Sequence, residues 1–198
     1  MKRFTSKIAI LVIFFSAGGP LLAGETIPIR NCTWCHGTSG QGFATAPRLA
    51  GQRHQYIMSQ LLDFNTHTRD NPLSKQYMWG AAANLNAHTA RDFAIYFSTL
   101  PPKAANDGDR ELAAQGKAIY ELGIADSNVA ACVVCHGPKA EGVRQIPRLG
   151  GLAYSYLKKR LDQWGEGYHA TAEAMPQIAG TLSANEIDAL ASYLSFIK

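Results

Sequence analysis

Cys32-Thr33-Trp34-Cys35-His36 returns 100 residues downstream as Cys132-Val133-Val134-Cys135-His136, and the two copies use all 4 cysteines of the chain. The pattern C-x-x-C-H is the attachment signature of a c-type haem. Two thiols three positions apart on a helical turn can each form a thioether to one vinyl group of a single haem. The histidine that follows is then placed to bind the iron through an imidazole nitrogen. Three other chemistries also use paired cysteines. A redox disulfide of the thioredoxin kind follows a strand in a βαβ pattern, which this sequence lacks. A zinc ribbon sets its pairs roughly 15–20 residues apart, far closer than these. Structural disulfides suit an exported chain but leave the histidine after each pair unexplained. The pentads therefore predict two haem c groups.

The likeness between the copies runs beyond the pentads. At an offset of 100, Gly37, Gly42, Pro47-Arg48-Leu49, Gly51, Tyr56 and Leu61 meet Gly137, Gly142, Pro147-Arg148-Leu149, Gly151, Tyr156 and Leu161. Three extra residues in the first copy then change the offset to 97, where Met78 meets Met175, Leu85 meets Leu182, Ala94 meets Ala191 and Tyr96 meets Tyr193. A repeat of this kind describes two similar folded units. With only two copies, each must bury its own core rather than stack as a solenoid.

Both units read as all-α. Gln52 to about Phe64 and Leu152 to Trp164 lack Pro and Gly and carry apolar residues near helical spacing. Ser183 with Glu186 forms a capping-box pattern ahead of Ile187, Leu190, Ala191, Leu194 and Ile197 on one helical face. The counterpart in the first unit begins near Asn86 and carries Ala90, Phe93, Ala94, Phe97 and Leu100. No stretch alternates as a half-buried strand does. Pro101 to Asp109 is polar and turn-rich and reads as a linker. A further helix, roughly Asp109 to Leu122, opens the second unit, while the first has no room for its equivalent.

The N-terminus is basic at Lys2, Arg3 and Lys7, apolar from Ile8 to Phe15, broken by Gly18-Gly19-Pro20, and small at Ala23. These features describe a secretory signal peptide over residues 1–23, cleaved near Ala23. The apolar run falls short of the ~20 residues a membrane-spanning helix needs. The expected organisation is thus 1–23 signal, 24–101 first unit and 102–198 second unit, in an exported, periplasmic protein. The formal net charge of +4 shrinks on maturation: of 19 basic residues 16 remain, against 15 acidic ones, a net of +1. That balance excludes nucleic acid as the expected partner.

What fills the iron face opposite each histidine decides the chemistry. Met78 and Met175 occupy the same place in the repeat, each seven residues before the leucine that opens the last helix. A thioether is a soft, neutral ligand that favours ferrous iron and raises the potential. The competing role is a core methionine that fills gaps around the porphyrin. Met58 serves as a control: it matches Lys158, so packing or partial exposure is expected there. His54, His67, His88 and His169 have no histidine at the matching position and read as solvated imidazoles. With His and Met both bound, no open iron position remains, and no general-base constellation or phosphate loop stands out. Outer-sphere electron transfer is the expected activity, rather than catalysis.

These residues resemble the dihaem cytochromes c4, which are built from two tandem cytochrome c-type domains, each wrapped around a covalently bound haem. The resemblance rests on Cys32-x-x-Cys35-His36-Gly37, Pro47-Arg48-Leu49-Ala50-Gly51, Met78 and Asn84-Leu85 through Tyr96-Phe97. In the second copy it rests on Cys132-x-x-Cys135-His136-Gly137-Pro138, Pro147-Arg148-Leu149-Gly150-Gly151, and Met175 through Leu182-Ser183 to Tyr193. It implies that Cys32, Cys35, Cys132 and Cys135 attach the haems and that His36, Met78, His136 and Met175 are the axial ligands. It further implies that Pro47 and Pro147 present carbonyls to the second nitrogens of His36 and His136, which fixes each imidazole. Arg48 and Arg148 would lie near propionates or at the domain interface, or serve as surface charge. Gly116 and Tyr120 look like first-helix residues that pack against the last helix at Tyr193.

Three functional expectations follow. The first is a periplasmic carrier between a quinol-oxidising complex and a terminal oxidase or reductase. The second is a cytochrome subunit held to a dehydrogenase, such as a sulfide-oxidising flavocytochrome c, whose short N-terminal segment before the first haem this chain shares. Membrane association would then run through such partners. The third is a haem peroxidase or thiosulfate-converting cytochrome, which would need one open or unusually ligated iron. The cluster Lys158-Lys159-Arg160 reads as a solvated helix face or part of a docking face for an acidic partner.

Overall fold

The repeat is realised as two sets of helices in the same order. The computed structural model describes residues 29–43, 45–170, 172 and 174–198, so the signal segment and its cleavage point lie outside the described residues. The first set is α1 (Arg30–His36), α2 (His54–Asn65), a π-helical turn (Ser74–Met78) that runs into α3 (Trp79–Ala82), and α4 (Ala87–Thr99). The second is α5 (Ala113–Leu122), α6 (Val133–His136), α7 (Tyr154–Gly165), α8 (Met175–Ala179) and α9 (Ala184–Phe196). Among the described residues β pairing is limited to isolated bridges, at Phe43 with Ala46, Ile124 with Val129 and Val143 with Ile146. No described helix is long and apolar enough to cross a membrane.

Local chemistry sets the helix ends. Asn86 caps α4 by accepting from the Thr89 N–H at 2.9 Å. Ser183 caps α9 in a capping box, its own N–H donating to the Glu186 carboxylate at 2.7 Å. The helix expected from Asp109 starts later, at Ala113. Asp109 instead holds a turn, its carboxylate accepting from the Glu111 N–H at 2.8 Å. The helix expected from Gln52 starts at His54, because the Gln52 N–H turns back to the Leu49 carbonyl and its side chain points across to the second unit.

The units differ in what covers their last helix. In the second, α5 lies so close on α9 that a Cβ at Gly116 would stand 1.9 Å from the Ala189 carbonyl oxygen. Tyr120 is fully buried beside Tyr193, and its hydroxyl donates to the Gly137 carbonyl at 2.6 Å. Ile119, Leu157, Leu161, Leu190 and Leu194 extend that core. In the first, Ile57, Ala94 and Phe97 form a smaller core, which Met58, half-buried, packs against. Asp92 occupies the position of Ala189 and pairs with His88 at 3.2 Å, while Ile95 and Tyr96 on the same helix are exposed. A charged residue at the crossing point does not accept a helix at backbone contact, and no helix among the described residues covers the outer face of α4.

The stretch from Pro101 to Asp109, read as a linker, is a bonded strap. Ala105 and Asn106 donate their N–H groups to the Gly151 and Ser195 carbonyls at 3.1 Å each. Gly108 and Asp109 donate to the hydroxyls of Ser195 and Ser192, also at 3.1 Å each. On the other side, the Gln41 side chain donates to the Pro101 carbonyl and accepts from the Lys103 N–H.

Two sequence expectations change at the seam between the units. Arg160, assigned to a solvated face, is buried; it donates to Gln163 Oε1 at 2.7 Å and lies over the Trp164 ring. His169, expected in solvent, is buried, and its backbone N–H donates to the Asp70 carboxylate at 2.8 Å. His54, His67 and His88 are exposed.

Candidate haem sites

α1 contains the whole of the first pentad, whereas α6 begins at Val133 with Cys132 as its N-cap; both end on the histidine. Cys32 and Cys132 are half-buried and pack against the two cores, while Cys35 and Cys135 are exposed. No disulfide joins any two of the four. Before attachment, burial pushes the Cys32 and Cys132 thiols up to about 11. Each helix stops at a glycine, Gly37 or Gly137, with φ of 77° or 82°, and the chain then folds back.

The return loop carries an acceptor to the histidine. Gly42 and Gly142 donate to the His36 and His136 carbonyls at 2.8 Å each, and a Cβ at either would lie 2.4 Å from a backbone oxygen of the loop. Glycine is required there. The loop then brings Pro47 O to His36 Nδ1 at 2.7 Å and Pro147 O to His136 Nδ1 at 3.0 Å. The carbonyl accepts, so Nδ1 carries the proton and Nε2 keeps its lone pair, the form that binds a metal. Burial pushes both imidazoles below their ordinary value, with the carbonyl bonds opposing. Both rings are therefore neutral near neutral pH.

Met78 closes the π-helical turn and Met175 opens α8, so each lies between the second and last helices of its own unit. Met78 is half-buried, and Met175 packs against the second core. Arg48 and Arg148 separate. Arg48 is buried in the seam and donates to the carbonyls of Lys103, Gly150 and Gly151 at 2.5–2.6 Å. Arg148 is half-buried, its Nε donating to the Gly150 carbonyl at 3.3 Å.

Several seam residues escaped the sequence reading. Gln52 bonds the Arg148 backbone through both side-chain atoms. Asn71 donates to Gln163 Oε1 at 2.9 Å, and Arg69 donates to the Tyr156 hydroxyl at 3.3 Å. The signal available was weak: polar residues inside helical patterns with an unexplained lack of exposure.

The donor set fits haem c. Each unit supplies a thiol pair on one helical turn, a neutral imidazole with its Nε2 lone pair, and a thioether. Arg48 Nε, Arg69 Nε and Trp164 Nε1 are buried donors without an acceptor among the described residues. Among the described residues no three of His, Cys, Asp and Glu gather as a metal cage.

Two pentad helices in all-α units, each with an imidazole held by a proline carbonyl, define a c-type cytochrome with two attachment sites. The cytochrome c family model matches residues 113–198. Cytochrome c4 of Thiocapsa roseopersicina is 33% identical over 178 residues, which cover 87% of this chain and 90% of that one. The thiosulfate dehydrogenase electron acceptor of Stutzerimonas stutzeri is 34% identical over 177 residues, covering 83% and 77%. The solved structure of Acidithiobacillus ferrooxidans cytochrome c4 superposes with a TM-score of 0.79 at 32% identity, covering 84% of this chain and 98% of that one. The chain belongs to the cytochrome c4 family: it is a dihaem electron carrier with two haem c groups.

Proposed function

We propose that the protein is a periplasmic carrier, or carrier subunit, in which two unequal units each hold one six-coordinate haem. In this reading residues 24–101 form the first unit and 102–198 the second. Cys32 and Cys35 would attach one haem and Cys132 and Cys135 the other. His36 with Met78, and His136 with Met175, would be the axial pairs. The haem supplies one-electron chemistry when bound. The chain's residues do the rest: they fix each imidazole through Pro47 or Pro147, keep it neutral, and shield it from water.

The observation that carries this reading is the paired His Nδ1 to Pro carbonyl bond, which leaves Nε2 free in both units. Haem counting on the matured protein should give two per chain. Replacing Met78 and Met175 by alanine, one at a time, should lower one potential each, because a thioether favours ferrous iron. No change from either substitution would refute the ligand assignment.

The donor and acceptor we propose are a quinol-oxidising complex and a terminal oxidase or reductase. A second reading, an electron-accepting subunit fixed to a sulfur-oxidising dehydrogenase, draws on the open outer face of α4 and on the relative named for thiosulfate dehydrogenase. Size-exclusion chromatography of native extract separates the two. A lone monomer supports the free carrier, and co-elution with a dehydrogenase supports the subunit.

A further inference from the structure

The peptide between Pro147 and Arg148 is bonded at both ends. Its carbonyl accepts from His136 Nδ1 at 3.0 Å, and its N–H donates to Gln52 Oε1 at 2.7 Å. Gln52 belongs to the other unit. Its Nε2 also donates to the Arg148 carbonyl at 2.9 Å, so one side-chain amide grips the Arg148 backbone on both sides. The Gln52 oxygen accepts from the Arg53 N–H as well, at 2.9 Å, which fixes the side chain in place. Gln52 is buried, 5% exposed, so water does not compete for these bonds.

An amide whose N–H is hydrogen-bonded has a more negative carbonyl oxygen, because bonds in a chain polarise one another. A more negative Pro147 oxygen draws harder on the His136 Nδ1 proton. That raises the basicity of Nε2, the tuning that outer-shell partners exert on metal-bound histidines. The residue at the matching position of the second unit is Leu152, which has no side-chain amide to return the bond. The relay therefore runs one way, from the first unit into the second.

We propose that Gln52 is a positioning residue for the second haem: from the first unit it clamps and polarises the peptide whose carbonyl holds His136. This rests on the reading of His136 as an axial ligand. A more basic imidazole favours ferric iron, so Gln52 holds the second haem's potential down. Docking of the two units, not the second unit alone, sets that potential.

The test uses the two-haem protein, with the two potentials resolved by redox titration and assigned by NMR. Gln52→Leu copies the residue of the matching position and removes both cross-unit amide bonds while filling most of the space. The second haem should become easier to reduce by about threefold, ~28 mV at 59 mV per tenfold for one electron, with the first haem unmoved. The His136 Nδ1 proton of the reduced protein should shift upfield, and that of His36 should not. Asn71→Ala removes a neutral cross-unit bond without touching this peptide, and neither signal should move. An unchanged second potential in Gln52→Leu, an equal shift of both haems, or the same shift in Asn71→Ala would overturn the proposal. His136→Ala tests the underlying reading separately: two unaltered haem spectra there would sink the ligand assignment, and this inference with it.

Discussion

Arg48 and Arg148 hold the same place in the repeat and meet different surroundings. Burial, then repulsion from Arg148, lowers Arg48 to about 10, so it remains a cation at neutral pH. Its charge is matched by carbonyl oxygens of the strap and of Gly150 and Gly151 rather than by a carboxylate. Arg48→Met would leave the Lys103 carbonyl without a donor, while Gly151 keeps the Ala105 N–H and Gly150 keeps Arg148 Nε, a loss of about 2 kcal/mol given 1–3 kcal/mol for an unsatisfied buried group. Denaturant unfolding should show this loss and separate into two transitions. The sequence marked Arg48 as a candidate and counted the domain interface among its roles, but it could not tell the two arginines apart. Alignment makes them equal. The difference lies in carbonyls more than fifty residues away, and backbone atoms carry no residue signature. His169 was misread for the same reason: its Asp70 partner is 99 positions distant.

Helices were legible wherever their cause is local. Apolar spacing and a capping box predict α9, and the structure has both. The strap was not legible, because Pro, Gly and small polar residues spell a linker whether or not their backbone groups find partners. The register of α7 on α9 is fixed by Asp188, which accepts from Lys158 Nζ and from the Tyr154 hydroxyl at 2.8 Å each. The Lys158 bond, then that of Tyr154, hold the Asp188 carboxyl below its usual 3.8. A depressed folded-state value means the contribution is full above the unfolded value and is lost as pH falls through the folded one. The stability gap between the native protein and Asp188→Asn should therefore be largest near neutral pH and close below about pH 4. Denaturant midpoints across that range check it, and a gap that widens in acid would be the contrary result.

At the scale of the molecule, the duplication is kept in the return loops that carry Pro47 and Pro147 to their histidines and is incomplete in its packing. α9 is sealed by α5, and α4 is open to water at Ile95 and Tyr96. Opening free energies follow buried contact, so amides of α4 should exchange hydrogen faster than those of α9 in the same protein. Equal protection would mean that the seam, rather than each core, sets local stability. All-α architecture, two units, two haems and family were readable from pentads and repeat, since each depends on residues near one another in sequence. The unequal coupling between the units was not, because it depends on which backbone meets which side chain.

The Arg48 clasp also orders events in time. Its acceptors at Gly150 and Gly151 lie 102 and 103 positions ahead of it in the chain. Contacts of such separation form late, after the loop between them has been closed by other structure. The first unit leaves the ribosome first and holds the smaller core, yet its arginine lacks two of its three acceptors until the second unit has folded its own return loop. The half that is made first is finished last.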